Sequence, residues 1–336
     1  MQKAFITGVS GTALTEAEGA FLAAERPAGV ILFARNCDSA EQITALTASV
    51  RACVGTDRTL IVIDQEGGRV QRLRPPISRL LPAAARYGAL YAKDPSAGLA
   101  AARLIARQTA ADLTALGITA NCAPVLDVPV PGAHDIIGDR AYGRVPATII
   151  ALGRAVAQGL MDGGVLPIMK HIPGHGRATA DSHLELPVVT ASIEELASDF
   201  EPFTALSSLP AAMTAHVVYT NLDPKHPAST SRPVHDLMRR KIGFAGLLMS
   251  DDLSMKALSG PFAERTQAVL QAGSDLALHC NGDLAEMREV AAAARLLAGE
   301  ALARFDRALA VTRSPAQWFD EGAAQATLSR LIGDFA

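Results

Sequence analysis

Leu60-Ile61-Val62-Ile63-Asp64-Gln65-Glu66-Gly67-Gly68-Arg69 is an apolar, β-branched run that stops on a carboxylate and breaks into a glycine turn. A run that is apolar on both parities suits a strand covered on both faces, as in a parallel sheet flanked by helices. The pattern recurs. Ala4–Thr7, Gly29–Phe33, Leu60–Asp64, Thr119–Asp127, Leu166–His171, Ala211–His216, Gly246–Asp251 and Asp275–His279 all read as strands. Between them lie stretches of helical composition: Ser39–Ala52, Ser96–Leu116, Pro146–Asp162, Ser192–Leu206, Pro233–Lys241 and Pro261–Ala272, with Ser39, Ser96 and Ser192 suited to N-caps. Eight strands alternating with helices predict an α/β fold, a single (β/α)8 TIM-like barrel. No linker, composition shift or longer repeat divides residues 1–336, so one catalytic domain is expected. A C-terminal helical tail from about residue 311, carrying Pro315 and Trp318, is expected to pack on the barrel.

Composition narrows the function classes. A chain of 336 residues, 49% hydrophobic and 19% charged, can bury a large core, which excludes disorder. With 31 basic and 34 acidic residues there is no long-range field for nucleic acid or an anionic membrane, so a neutral or weakly charged small molecule is the expected ligand. Cys37, Cys53, Cys122 and Cys280 lack C-x-x-C spacing and read as free thiols of a reducing compartment. The N-terminus runs into a strand without a leader-like pattern, and no apolar run reaches membrane-spanning length. A cytoplasmic location is expected.

The unusual polar residues gather at the C-terminal ends of the strands, where barrels of this kind build their sites. Asp64 ends its run pointing into the barrel mouth, where a carboxylate accepts bonds from vicinal hydroxyls. Arg72 can add donors, while Glu66 and Arg69 read equally well as ligand contacts or as a loop-stiffening salt-bridge network. Lys170-His171-Ile172-Pro173-Gly174-His175-Gly176, followed by Asp181-Ser182-His183, crowds titratable groups into a glycine-broken loop. Lys170 and His171 can donate to sugar hydroxyls. Asp181 and His183 form a dyad if the backbone bends, the aspartate orienting the imidazole and favouring its charged form. Ser250-Asp251-Asp252 places two carboxylates at a strand end, of which alternation lets one face the site; the other, with Asp252 the candidate, is expected to cap the next helix. Arg140 in I-I-G-D-R-A-Y reads as a surface or structural residue on its own. His216 has no assigned role.

Taken together and in order, I-D-Q-E-G-G-R-V-Q-R, K-H-I-P-G-H-G with D-S-H, and M-S-D-D-L-S-M resemble glycoside hydrolase family 3, over about Gly29 to Asn281. Within it the pattern is similar to the bacterial single-domain β-N-acetylhexosaminidases of peptidoglycan recycling. The resemblance implies Asp251 as nucleophile, Asp181 and His183 as acid/base dyad, and Asp64, Arg72, Arg140, Lys170 and His171 as contacts to a terminal N-acetylglucosamine. It implies a muropeptide or other GlcNAc-containing small-molecule substrate and calls for no cofactor and no metal, while the charge balance already leaves no nucleic acid and no membrane partner expected. Ile172 stands where an aromatic residue is usual and Tyr142 where Phe is common; neither removes a functional group. The β-glucosidase branch takes a glutamate from a second domain; none is expected here, which favours the aminosugar branch.

The expected reaction is a retaining double displacement that releases terminal β-linked GlcNAc. Because a neutral histidine does not repel anions, phosphate is a minority alternative to water as acceptor. Two rival classes stay in view. A metal-dependent hydrolase of the same fold would use histidines and aspartates at strand ends, although the first strand lacks H-x-H and Lys170 would repel a cation. The other is a non-catalytic sugar-binding protein.

Overall fold

The computed structural model describes residues 1–182 and 184–333, and among these eight parallel strands close into a barrel in chain order. They are β1 (Lys3–Thr7), β2 (Pro27–Leu32), β3 (Leu60–Ile63), β4 (Ala120–Asn121), β5 (Leu166–Ile172), β6 (Ala211–Thr214), β7 (Leu247–Asp252) and β8 (Leu276–His279). Closure comes from β1, which pairs with β2 on one side and β8 on the other, Thr7 lying opposite Val30 and His279. The (β/α)8 architecture read from the apolar runs is therefore the architecture observed.

The helices follow the strands as α1 (Glu16–Glu25), α2 (Ala40–Val54), α3 (Ala84–Lys93), α4 (Pro95–Ala115), α5 (Pro146–Asp162), α6 (Ile193–Ala205), α7 (Arg232–Arg240), α8 (Phe262–Ala272), α9 (Leu284–Ala293), α10 (Gly299–Arg313) and α11 (Glu321–Ile332). Ser39 and Ser192 cap α2 and α6, accepting from Gln42 N and Glu195 N. Ser96 does not cap α4. Pro95 needs no N–H partner and takes the first helical position, which moves the cap to Asp94, bonded to Ala97 N at 3.0 Å. Arg86, Tyr87 and Gly88 lie within α3.

The fourth strand is much shorter than the expected Thr119–Asp127. Pro124 has no N–H for the ladder, so pairing stops after Asn121 and resumes as a single bridge from Val125 to Lys170, with Leu126 N on Lys170 O at 2.7 Å. Two small sheets decorate the barrel mouth. Gln65–Gly67 and Val70–Gln71 form an antiparallel hairpin, and Val188–Val189 pairs in parallel with Val218–Tyr219. The hairpin turns at Gly67 (φ 106°) and Gly68 (φ 57°), left-handed backbone that glycine adopts at least cost.

The chain after α10 returns along α4, where α11 buries Ala324 and Leu328. Arg107 of α4 donates to Gln317 O and lies over the Phe319 ring at 4.6 Å. Trp318 remains 87% exposed. Among the described residues no helix is long and apolar enough to cross a membrane.

At the base of the barrel Asp275, with a side chain only 4% exposed, ties three elements together. It accepts from Leu248 N on β7 (2.9 Å), Arg239 on α7 (2.8 Å) and Arg304 on α10 (3.0 Å). Asp275→Ala leaves two part-buried guanidinium groups without their carboxylate and is expected to cost roughly 3 kcal/mol. Urea unfolding of wild type and variant measures this; an unchanged midpoint would mean that the cluster contributes nothing.

Candidate active site

Chemistry-bearing side chains converge on a cavity of about 270 Å3 at the C-terminal mouth of the barrel. Asp64, Arg72, Arg140, Lys170, His171 and Asp251 all line it, as do His175, Ser182 and Asp252. Six of the eight residues singled out for chemistry thus share one space. Asp181 sits beside Ser182 on the loop over the cavity, its carbonyl accepting from Leu184 N and Glu185 N. His183 lies outside the described residues.

The floor is a chain of alternating charge. Arg72 bonds Asp64 at 3.1 Å, Asp64 bonds Lys170 at 2.7 Å, Lys170 reaches Glu66 at 2.5 Å, and Glu66 takes a two-point fork from Arg140 at 2.8 Å per bond. The hairpin after β3 makes this possible. Gln65 Oε1 accepts from Arg72 N and Leu73 N, folding the chain back so that Arg72 meets Asp64. Burial by itself would raise both carboxyls, but Lys170 with Arg72 holds Asp64, and Lys170 with Arg140 holds Glu66, below the ordinary range. Burial opposes the charge on Lys170 too, yet Asp64 and Glu66 keep it above the usual lysine range. Asp64, Glu66, Lys170 and Arg140 are thus charged at neutral pH. The Phe33 ring backs the chain, with the guanidinium groups of Arg72 and Arg35 at 4.8 and 5.0 Å from its centroid.

Glu66 therefore belongs to the salt-bridge network. Arg69 also lines the cavity and at the same time staples the loop that carries Arg140, donating to the carbonyls of Asp135, Ile136 and Ile137 and pairing with Asp135 and Asp139, so both of its readings stand.

His171 is oriented by a residue that the sequence reading passed over. Its Nδ1 lies 2.7 Å from Asp127 Oδ2, leaving Nε2 for the cavity, while Asp127 Oδ1 accepts from the backbone N–H groups of His171 and His175. Burial would raise the Asp127 carboxyl, but His171 and these bonds bring it down to about 2. A carboxylate ending an apolar run had flagged Asp64, and Asp127 ends Pro124-Val125-Leu126 in the same way. Lys170 and His171 are successive strand residues, yet both line the cavity, because the β5–β6 register slips between Lys170 and Ile172.

A second slip, between Met249 and Asp252, overturns the expectation that one aspartate alone faces the cavity: Asp251 and Asp252 both line it. Asp251 Oδ1 accepts from Asp252 N at 2.8 Å. Asp252 caps no helix, since α8 begins ten residues on. It accepts from Ser254 N, Ser254 Oγ and Cys280 N, which fixes the β7 loop against β8. His216 also serves this strand end, with Nε2 on the Asp252 carbonyl (3.0 Å) and Nδ1 on Ser229 Oγ (2.6 Å). Burial lowers its pKa, so it is neutral at physiological pH.

Residues 6–311 match the glycosyl hydrolase family 3 N-terminal domain. The chain belongs to this family. Its members are glycoside hydrolases, and the enzyme class follows. A β-hexosaminidase of Thioalkalivibrio sulfidiphilus (strain HL-EbGR7) is 41% identical over 277 residues, 81% of this chain and 79% of the relative. NagZ from Neisseria gonorrhoeae, solved with N-trifluoroacetyl-D-glucosamine, superposes with a TM-score of 0.85 at 33% identity, over 99% of both chains. The β-N-acetylhexosaminidase of Beutenbergia cavernae DSM 12333 gives 0.76 at 28% identity, over 98% of this chain and 96% of that one. β-Hexosaminidase activity is the activity these relatives support.

The Asp127 anchor carries a definite pH dependence. Its native value of about 2 lies below the ordinary 3.8, so the stabilisation is complete above about pH 4 and is lost as pH falls through 2. Asp127→Asn is expected to be less stable than wild type at pH 6 and to lose less on going to pH 3. Parallel unfolding midpoints at the two pH values would contradict this.

Proposed function

We propose that this family 3 enzyme is a retaining β-N-acetylglucosaminidase that removes a terminal non-reducing GlcNAc, with Asp251 as nucleophile and His183, oriented by Asp181, as acid and base. The observation that carries the reading is the shared cavity: a strand-end carboxylate, Asp251, faces the same space as Asp64, Arg72, Arg140, Lys170 and His171. Its volume of about 270 Å3 lies near the lower end of small-molecule sites, which suits one sugar ring rather than a chain. A ring of hydroxyls needs donors and acceptors side by side, and the alternating charges supply both. The N-trifluoroacetyl-D-glucosamine bound to NagZ from Neisseria gonorrhoeae supports the same sugar class here.

In the first step His183, protonated, gives its proton to the leaving oxygen while Asp251 attacks the anomeric carbon and forms a glycosyl-enzyme. In the second, neutral His183 takes a proton from water, which displaces Asp251 and releases the sugar with retained configuration. Asp64, Lys170, Arg72, Arg140 and His171 hold the sugar in this reading. The natural substrate is GlcNAc linked to anhydro-muramic acid carrying a stem peptide, met in the cytoplasm during cell-wall recycling.

Release of nitrophenol from 4-nitrophenyl β-N-acetylglucosaminide, with a chelator present, tests the scheme. Wild type is expected to turn over, and Asp251→Ala to lose more than ~10³-fold while still binding GlcNAc. Activity abolished by the chelator would shift the assignment to a metal hydrolase, and retained activity in Asp251→Ala would remove the nucleophile. Product analysis in phosphate buffer is expected to give free sugar; sugar-1-phosphate would make phosphate the acceptor. His183→Ala is expected to lose far more activity on GlcNAc linked to a sugar alcohol than on the nitrophenyl glycoside, whose leaving group needs little protonation. Equal losses on the two would contradict the acid role.

A further inference from the structure

The loop over the cavity is pinned at the residue between the two members of the dyad. Ser182 is buried while Leu184 is exposed, and its hydroxyl lies 3.1 Å from His175 Nε2. Its carbonyl accepts from Ala257 N, on the segment that follows Asp251. His175 is itself buried and held from behind: its backbone N–H donates to Asp127 at 2.7 Å, and its ring stands edge-on to that of His171, centroids 5.6 Å apart. Asp127 thus fixes both the histidine that faces the cavity and the one that reaches the loop.

The protonation of His175 decides which way its bond runs. Burial, with His171 beside it, lowers the ring to about 4, so one ring nitrogen carries a proton at neutral pH. Among the described residues, Nδ1 is buried without a hydrogen-bond partner. An orphan buried N–H is rarer and costlier than an orphan lone pair. That favours the tautomer with the proton on Nε2, in which Ser182 Oγ accepts it.

We propose that His175 and Ser182 are positioning residues for proton transfer: the buried His175–Ser182 bond sets where Asp181 and His183 stand relative to the leaving-group oxygen. The inference rests on the reading of Asp181 and His183 as the acid/base pair. Neither His175 nor Ser182 exchanges a proton with substrate; they act through the backbone that joins them to the dyad. Misplacing a general acid by a fraction of its hydrogen-bond length removes most of its contribution without touching the sugar contacts on the barrel floor.

The test compares kcat/KM along a series of aryl β-N-acetylglucosaminides, from dinitrophenyl to unsubstituted phenyl, for wild type, Ser182→Ala, His175→Phe, His175→Gln and His183→Ala. Ser182→Ala and His175→Phe are expected to lose roughly 10-fold or more on the phenyl glycoside and under about 3-fold on the dinitrophenyl one, with inhibition by free GlcNAc unchanged. His175→Gln, whose side-chain amide can donate near the position of Nε2, is expected to recover most of the phenyl activity. Ser182→Ala and His175→Phe running parallel to wild type along the series, beside a steep His183→Ala, would overturn the positioning role and leave the dyad standing. A flat His183→Ala series would instead overturn the acid/base reading. Loss of GlcNAc inhibition in His175→Phe would mark a folding defect or a disturbed sugar site, since His175 also lines the cavity, and in either case Ser182→Ala, which removes a single oxygen, decides alone.

Discussion

Lys170 is the point on which the site depends. Its ammonium, 3% exposed, sits between the carboxylates of Asp64 and Glu66, and each carboxylate is shared with an arginine. A buried charge of this kind is tolerated only when its partners are in place, and removing one strands the next. The result is a floor whose polarity is fixed before any ligand arrives, so little reorganisation is left to binding or to the developing charge of a transition state. Donor and acceptor alternate along it at ion-pair spacing, the pattern that a ring of neutral hydroxyls matches and a lone anion or cation does not. The geometry in turn leans on two small pieces of backbone: the hairpin that returns Arg72 to Asp64, and the register slip that lets consecutive residues of β5 both face inward.

Much of the fold was legible because a parallel barrel strand is apolar on both faces, and Leu60–Ile63 or Ala211–Thr214 admit no other comfortable setting. What escaped were places where one residue overrides a local pattern. Pro124 cuts β4 to two residues, and Pro95 takes the position that Ser96 would otherwise follow as a cap. In the site, clustering at strand ends identified Asp64, Lys170, His171 and Asp251, whereas Arg140 was marked only by the family resemblance, and alternation failed at Asp251 and Asp252 because a bulge suspends the two-residue period there. Asp127 was missed although it carries the signal that picked out Asp64. It lies beyond the end of its short strand, and nothing in sequence shows that its partners are 44 and 48 residues away. The partnership of Glu66 with Arg140 was equally invisible, since it joins loops from different strands.

The histidines illustrate how one residue type divides its labour by surroundings. His171 has one nitrogen committed to a carboxylate and the other turned to the cavity. His216 has both committed, and with them it fixes the backbone that bears Asp251. His175 lies between these cases, one nitrogen engaged and the other, among the described residues, without a partner. Burial keeps His175 and His216 neutral, so near neutral pH they brace and orient rather than add charge to an already charged floor.

The pairing of β1 with β8 has a consequence for how the molecule comes into being. Thr7 finds its second neighbour at His279, so during synthesis the first strand waits with one edge bare until more than four-fifths of the chain has emerged. Leu278 and Cys280, which line the cavity, arrive with that same strand. Ring closure and completion of the cavity are therefore a single late event, and the interval before β8 appears is when nascent chains most need shielding from one another.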